Sequence, residues 1–344
     1  MTQDGNPPTA GLDVTVIVPT FNRLHFLKRA VDSCRSTRCR TEVIIVDDGS
    51  TDGTWEWLQS QPDLVRLRQK NQGQGWAVLN GFKLSQGRFV RFLDSDDFLA
   101  QGAIDRQWTV AQETGADIVY GAVDRHEEST GAVLPEPDPE QWDDFMAVQL
   151  GERNGSHYLG MLFKRELFDA VPVRRPEYGV RDDRMLLLEL ALLNPKVARS
   201  PGVAGYWSKH AAQMHTSCRG LALQVANWQM LQIYKKTLSA LEARHELTAR
   251  RAAAACNVLW PLALAIARTV PHEGVEVERW IRQLHPGFCP PESGLRGWCF
   301  SHLGFAWTQR LFRVARLLRA VLGCVKEGFS TQSLSRSTGP ASGQ

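Results

Sequence analysis

The chain has 344 residues, which is enough for one large domain or for two of ordinary size at the usual ~150 residues per domain. Its 43% hydrophobic and 22% charged residues are typical of a folded soluble protein, and they exclude a low-complexity or collagen-like chain. The net charge of +3 is divided unevenly along the chain. Residues 1–216 hold 24 Lys and Arg against 30 Asp and Glu, whereas residues 217–344 hold 16 Lys and Arg against 7 Asp and Glu. The acidic part suits binding of a metal ion, and the basic part suits contact with an anionic surface.

The first hundred residues alternate between short apolar runs and helical periodicity. The predicted elements are strands at 13–19, 42–46, 64–68 and 89–93, and helices at 22–35 and 75–86. This order is typical of an α/β protein whose parallel strands are covered by helices. Ligands bind such sheets at the carboxyl ends of the strands, which is where the polar clusters of this chain fall.

After residue 97 the alternation becomes irregular. The predicted elements are helices at 102–114, 182–193 and 303–323, strands at 117–123 and 158–163, a loop at 127–143 and strongly helix-forming sequence at 221–268. Residues 272–300 are rich in Pro, Gly and Cys and carry no readable pattern. We expect a first domain at 13–216, a helical basic region at 217–327, and disorder at 1–12 and 328–344.

The seven cysteines are spread along the chain, and none belongs to a CxxC pair. They support neither a zinc site nor a disulfide framework, and they fit a reducing compartment. The N-terminus lacks a basic start and an apolar run, so no signal peptide is expected. The longest apolar run, 258–267, is about half the ~20 residues of a spanning helix. We therefore expect a cytoplasmic protein, either free or peripheral on the cytoplasmic face of a membrane.

The sharpest motif is LDSDD at residues 93–97, directly after the fourth predicted strand. In an extended chain Asp94 and Asp96 point the same way, so their carboxylates are able to bind one hard cation such as Mg²⁺ or Mn²⁺. The alternative is that they cap the following helix, because Asp is a common helix starter.

A second acidic cluster, DDGSTD at residues 47–52, follows the second predicted strand. Two carboxylates at a strand end can accept hydrogen bonds from a nucleobase or from ribose hydroxyls, whereas a phosphate prefers backbone N–H groups and Lys. The alternative for residues 50–52 is a turn followed by a helix cap. That alternative is weaker for Asp47 and Asp48, since adjacent acids at the end of a buried strand repel each other without a partner.

The order of four motifs resembles the family 2 glycosyltransferases of the GT-A fold. The motifs are PTFN at 19–22, DDGSTD at 47–52, NQGQGWAVLNGF at 71–82 and LDSDD at 93–97. The resemblance is dense over residues 13–130 and looser to about 216. It implies a GT-A catalytic domain at 13–216, an α/β fold with a nucleotide-binding mixed sheet flanked by helices, followed by a helical C-terminal extension.

The same resemblance assigns roles to matching residues. The implied contacts to the nucleotide sugar are Pro19, Thr20, Phe21, Asn22, Asp47, Asp48, Gly75, Asn80 and Asp94. Asp94 and Asp96 match the DxD pair, in which Asp96 would bind the metal directly and Asp94 would contact the ribose or the diphosphate. Leu79 stands where the family commonly carries an arginine, so a donor contact from that arginine is not expected.

Two later positions also match. Asp182 and Asp183 stand where the family has a Glu-Asp pair, so Asp183 would be the base that takes the acceptor proton in an inverting transfer. Asp182 replaces the usual Glu, which leaves the assignment between the two open, and both acids also suit the start of helix 182–193. His210 resembles a histidine that approaches the metal or the diphosphate, the alternative being an ordinary packing or surface residue.

The implied activity is transfer of a sugar from a nucleoside diphosphate sugar, with UDP-sugars the first expectation, to an acceptor hydroxyl with Mn²⁺ or Mg²⁺. The acceptor would be a glycan, a lipid-linked glycan or a protein, and cell envelope polysaccharide synthesis is the expected setting. Two alternatives stay open. A nucleotidyltransferase would carry a Gly-rich basic loop where this chain has PTFNR, and a non-catalytic sugar-nucleotide or partner-binding protein would not need every carboxylate to be present.

Residues 303–323 carry an apolar stripe on one helical face. Its members are Trp307, Leu311, Val314, Leu318 and Leu322, and Arg310, Arg313, Arg316 and Arg319 lie outside it. Such a helix suits either peripheral contact with a membrane or packing on a domain or partner. Nucleic acid is not expected, because no binding motif accompanies the arginines.

Overall fold

The computed structural model describes residues 11–137, 140–153, 157–211 and 220–334, and their side chains except those of 176, 180 and 316–334. Most of the two terminal segments predicted to be disordered therefore lies outside the described residues. The last described helix nevertheless runs to Leu334, past residue 327.

Nine strands of the described residues form one mixed sheet. They are β1 (Val14–Thr20), β2 (Thr41–Asp47), β3 (Val65–Arg68), β4 (Phe89–Phe92), β5 (Phe98–Leu99), β6 (Ile118–Glu127), β7 (Ala132–Leu134), β8 (Met161–Lys164) and β9 (Val197–Lys209). The order across the sheet is β3-β2-β1-β4-β8-β6-β9-β5, and β7 pairs with β6. Strands β1 to β4 run parallel, whereas β8 is antiparallel to β4 and β6. The expected α/β fold with a mixed sheet is confirmed.

Ten helices of the described residues cover or follow this sheet. They are α1 (Leu24–Ser33), α2 (Thr54–Gln59), α3 (Gln74–Leu84), α4 (Ala103–Thr114), α5 (Phe145–Leu150), α6 (Asp182–Ala191), α7 (Gly220–Ala243), α8 (Ala249–Ala267), α9 (Pro271–Leu284) and α10 (Gly294–Leu334). The predicted loop at 127–143 contains β7, and the unreadable stretch at 272–300 contains most of α9. Strand β9 was not predicted, because Pro201 and Gly202 interrupt its apolar pattern.

Strands β1 and β2 are buried on both faces, which is why they read as nearly continuous Val and Ile runs. Val16 and Val18 pack in the cluster that includes Leu27 of α1, whereas Ile44 packs with Ala77 of α3. Gly81 of α3 lets this helix approach closely, since a Cβ there would lie 2.7 Å from Ile17 Cγ2.

The register brings the predicted clusters to one edge. Thr20, at the end of β1, pairs with Asp47 at the end of β2, and Ile17 pairs with Phe92 at the end of β4. The carboxyl ends of these parallel strands therefore meet, as the sequence predicts. The loops that follow them, including Asp94, leave the sheet at the same edge.

The chain divides into two compact units, Met1–Ala255 and Cys256–Gln344, with the division inside α8. In the first unit Tyr234 of α7 is buried, and its hydroxyl donates to the carbonyl oxygen of Leu150 at 3.0 Å. The predicted end of the catalytic domain at residue 216 remains a prediction. Among the described helices, none combines the length and the apolar character that crossing a membrane requires.

Candidate active site

A cleft of about 760 Å³ opens at the carboxyl edge of β1, β2 and β4. The predicted residues that line it are Pro19, Thr20, Phe21, Asp48, Asp94, Asp96, Asp182 and Asp183. The predicted residues outside its lining are Asn22, Asp47, Gly75, Asn80 and His210. The structure therefore brings both carboxylate pairs, from segments about ninety residues apart, to one cavity.

Asp48 holds the loop that follows β3. Its carboxylate accepts hydrogen bonds from the backbone N–H groups of Gln72 at 2.9 Å and Gly73 at 2.8 Å. It also accepts one from the Gln69 side chain at 2.8 Å, and Asn80 in turn donates to Gln69 Oε1 at 2.7 Å. Asp48 and Asn80 thus position the loop at the cleft, and direct contact with a nucleobase stays a prediction.

Asp47 and Asn22 join the loops after β1 and β2. Asp47 is fully buried, accepts from the backbone N–H of Ser50 at 2.9 Å, and lies 3.3 Å from Arg68 Nε. Asn22, in the left-handed region at φ 51°, accepts from the backbone N–H of Thr51 at 2.8 Å. Both side chains stabilise these turns, and their contact with a nucleotide sugar stays a prediction.

Three carboxylates cluster after β4. Those of Asp94, Asp96 and Asp97 place oxygens within 4.8 Å of one another. Helix α4 begins only at Ala103, with Gly102 as its N-cap, so the capping alternative for this cluster is wrong. Burial and the neighbouring carboxylates raise the pKa of Asp97 well above its usual range. Such mutual repulsion is relieved by a bound cation.

The cluster fits a hard divalent cation. An all-oxygen donor set suits Mg²⁺ and Mn²⁺, and an imidazole nitrogen beside it is also compatible with Mn²⁺. His210 lies beside the cluster, because its Nε2 is 3.0 Å from Asp96 Oδ2 while its ring stacks on Phe26 at 4.7 Å, and its role as a metal ligand stays a prediction. Arg23 forms an ion pair with the same carboxylate. Arg23 was not predicted, although it directly follows the PTFN motif.

Asp94 is held from two sides. Its Oδ1 accepts a hydrogen bond from Gln74 Nε2 at 2.5 Å, and its Oδ2 accepts one from the Tyr158 hydroxyl. Burial and the Asp94 carboxylate raise the pKa of Tyr158 well above its usual range, so the hydroxyl keeps its proton and donates it. Gln74 and Tyr158 therefore fix the direction in which Asp94 faces the cleft.

The second acid pair begins helix α6. Asp182 and Asp183 occupy its first turn, where the helix dipole stabilises negative charge, as the sequence predicts. Asp182 Oδ2 lies 3.7 Å from Arg174 Nε, and Asp183 Oδ1 accepts from the backbone N–H of Arg184 at 2.7 Å. Both carboxylates line the cleft.

Arg174 connects the two carboxylate groups. Its side chain is only 2% exposed, and its guanidinium lies 5.1 Å from the ring centres of both Phe92 and Tyr158. Burial works to lower the pKa of Arg174, but the carboxylates of Asp182, Asp183 and Asp94 together with Tyr158 raise it, and the outcome lies above the usual value. The sequence carries no signal for this role, because Arg174 falls in an irregular segment.

His157 lines the cleft beside the acid pair. Burial lowers the pKa of His157 and outweighs the raising effect of Asp183. Its Nδ1 accepts from the backbone N–H of Leu159 at 3.2 Å, so the neutral ring carries its proton on Nε2. The ring stacks on Tyr158 at 5.2 Å. His157 therefore offers the cleft a neutral N–H donor, which the sequence did not reveal.

Comparison with known proteins gives consistent results. The model of the family described as "Glycosyl transferase family 2" matches residues 15–170. An uncharacterized glycosyltransferase of Nostoc sp. is 28% identical over 221 residues, which cover 60% of this chain and 67% of that protein. Poly(ribitol-phosphate) beta-N-acetylglucosaminyltransferase TarP of Staphylococcus aureus is 35% identical over 116 residues, 31% of this chain and only 36% of TarP.

A solved structure shares the fold. The structure of S. aureus TarS 1-349 in complex with UDP-GlcNAc superposes with a TM-score of 0.51 at 15% identity, covering 88% of this chain and 92% of that one. The expected GT-A fold is thereby confirmed, because the likeness extends over nearly the whole of both chains.

Proposed function

Because this chain belongs to glycosyl transferase family 2 and is a glycosyltransferase, we propose that its cleft binds a nucleoside diphosphate sugar with Mn²⁺ or Mg²⁺ and transfers the sugar with inversion. The observation that carries the proposal is the meeting of two carboxylate groups in one cleft, the cluster at 94–97 and the pair at 182–183. The UDP-GlcNAc bound by TarS supports a UDP-sugar donor. Family membership sets the nucleotidyltransferase alternative aside.

The metal would be held by Asp94 and Asp96, with His210 behind them. When bound, a divalent cation offsets the negative charge on the departing diphosphate. Arg23 pairs with Asp96, and we propose that it balances the charge of the carboxylate cluster before the metal arrives. Gln74 and Tyr158 keep Asp94 in the direction it needs.

Asp183 is the base in this proposal, and Arg174 supports the choice. The guanidinium of Arg174 lies beside Asp182 and stabilises its charge, which makes that carboxylate a poor proton acceptor. The hydrogen bond that Asp183 receives comes from the backbone of the next residue, in the first turn of α6. Asp183 would take the proton of the acceptor hydroxyl as its oxygen attacks the anomeric carbon and the nucleoside diphosphate leaves.

The acceptor is proposed to be a glycan, free, lipid-linked or on a protein, in cell envelope synthesis. TarP is a poly(ribitol-phosphate) beta-N-acetylglucosaminyltransferase, which supports an acceptor polymer of that kind. We propose a cytoplasmic location, because nucleotide sugars are expected there and the cysteines suit a reducing compartment. This chain covers little more than a third of TarP.

The first test is a thermal-shift series on the purified protein with UDP-, GDP-, dTDP- and CMP-sugars. Each is measured with Mn²⁺, with Mg²⁺ and with EDTA. We expect one nucleotide, a UDP-sugar first, to stabilise the protein by about 3 kcal/mol at a hundredfold excess over its Kd, and only with metal. Equal stabilisation with EDTA would contradict metal dependence. Stabilisation without donor hydrolysis or transfer would favour the non-catalytic alternative.

Replacing Arg174 should change catalysis more than donor binding. We expect Arg174→Lys to lower kcat about tenfold to a hundredfold, because an ammonium does not reproduce the planar contact with two rings and the Asp182 carboxylate. The pH at which kcat is half-maximal should shift as well, since the charge beside the acid pair is displaced. A donor-induced thermal shift close to that of the unaltered protein would show that the cleft is intact.

Arg175 offers a matched control. It is adjacent in the chain, pairs with Glu189 at 2.8 Å, and does not line the cleft. Arg175→Lys should therefore leave kcat and its pH profile unchanged. Equal losses in the two variants would show that Arg174 acts only through the stability of this segment.

A further inference from the structure

Helix α10, in the second unit, is apolar on two opposite sides. The helix is interrupted at Gly304, whose φ of 72° and ψ of 173° are not helical. Beyond this break Phe305 and Thr308 are buried, and the ring of Phe305 lies 5.4 Å from that of Trp260. This side of the helix is therefore packed within its own unit.

The other side is uncovered. Trp307, Leu311 and Val314 are spaced by four and three residues, so they share one face, and each is more than half exposed. Trp298, before the break, is 53% exposed. We call Trp307, Leu311 and Val314 the tryptophan face. The sequence predicts either membrane contact or packing on a domain or partner for this stripe, and within the second unit its described members are exposed.

Exposed basic side chains accompany the tryptophan face. Arg310 and Arg313 are exposed, and the Arg310 guanidinium lies 4.9 Å from the Trp307 ring centre, whereas Arg296, before the break, pairs with Glu292 at 3.5 Å. The sequence has no Asp or Glu from residue 293 to residue 326. A second copy of this helix would bring the same arginines together without acidic partners, which is unfavourable. An anionic surface, in contrast, would pair with them.

We propose that the tryptophan face docks this protein on a membrane surface that carries anionic lipids. Trp rings lie preferentially at the headgroup level, where an apolar body and an N–H group are both accommodated. Leu311 and Val314 would enter the acyl boundary, and Arg310 and Arg313 would contact lipid phosphates. The helix lies in the interface and does not cross it. This inference is independent of the proposed catalytic residues.

The experiment is co-sedimentation of the full chain with vesicles of phosphatidylcholine alone and of phosphatidylcholine mixed with phosphatidylglycerol. We expect binding to the mixed vesicles that weakens as salt is added. The double variant Trp307→Glu, Leu311→Glu should bind more weakly by at least about tenfold, because it removes two large apolar side chains from the contact. Arg310→Gln, Arg313→Gln should lose about fivefold for each arginine, and only on the anionic vesicles.

The matched control is Val133→Glu, Leu134→Glu, which changes two exposed apolar residues of β7 in the first unit. It should bind vesicles as the unaltered protein does. All variants should keep the melting temperature and the donor-induced thermal shift, so a lost membrane contact is distinguishable from a failed fold or a failed donor site. Absence of binding to anionic vesicles would overturn the proposal. So would a dimer in sedimentation velocity that the Trp307, Leu311 variant abolishes.

Discussion

Asp183→Asn is expected to slow sugar transfer about a thousandfold while leaving donor binding nearly unchanged. The amide has the shape of the carboxylate, and its oxygen still accepts the hydrogen bond from the backbone N–H of Arg184. It is unable to take a proton from the acceptor hydroxyl, so the loss falls on kcat. The measurement is kcat at saturating donor and acceptor, beside the donor-induced thermal shift of the same preparation.

Two further variants sharpen this result. Asp169→Asn changes an exposed carboxylate that precedes the acid pair at 182–183 in the chain, and it should have no effect on kcat. Asp182→Asn should cost less than Asp183→Asn, because Asp182 acts through its ion pair with Arg174. The reverse ranking would move the base to Asp182. Near-normal turnover in both variants would contradict a base at this helix start.

Asp96→Ala is expected to remove metal-dependent donor binding and to reduce transfer by more than about a hundredfold. The carboxylate of Asp96 is where Arg23 and His210 converge, and it belongs to the cluster with oxygens within 4.8 Å. Without it the cluster loses the oxygen that the proposal assigns to the metal. Arg23 and His210 also lose the carboxylate that both of them contact. The measurement is the Mn²⁺-dependent part of the thermal shift with a UDP-sugar.

Asp63→Ala is the control for this prediction. Asp63 is exposed, pairs with Arg35 at 3.0 Å, and does not line the cleft. It should keep both the metal-dependent shift and the transfer rate. If donor and Mn²⁺ stabilised the Asp96→Ala variant as much as they stabilise the unaltered protein, the metal site would have to lie elsewhere. A melting temperature measured without ligand separates this outcome from simple destabilisation.

Much of the first unit could be predicted from local patterns. The Val and Ile runs of β1 and β2 are readable because both faces of these strands are buried, and the acids that follow them stand out against that background. Because consecutive strands of such an α/β chain run parallel, their carboxyl ends are expected at the same edge of the sheet. Strand β9 escaped prediction, since Pro201 and Gly202 break its pattern and its pairing with β6 is set by contacts distant in sequence.

The roles of several acids were decided by neighbours that no local pattern reveals. Asp47 and Asp48 look alike in sequence, yet Asp47 is enclosed by a turn and Asp48 holds the loop at 69–73. Arg174 lies in an irregular segment, and only the fold places it beside Asp182 and against Tyr158. Apart from the turn at Asp47, these contacts join residues from 8 (Arg174 to Asp182) to 25 (Asp48 to Gly73) positions apart.

Local patterns of the chain were enough to predict the order of the first strands, the edge at which the ligand cleft lies, and the helix that begins at Asp182. These features follow from periodicity, strand ends and helix starts, which are properties of short segments, whereas the family resemblance rests on the order of four motifs. Only the tertiary structure decided which carboxylates face the cleft, that Arg23 and His210 meet at Asp96, and that Trp307 is exposed. Burial and side-chain pairing depend on the whole packed arrangement, because a residue's partners come from segments that are distant along the chain.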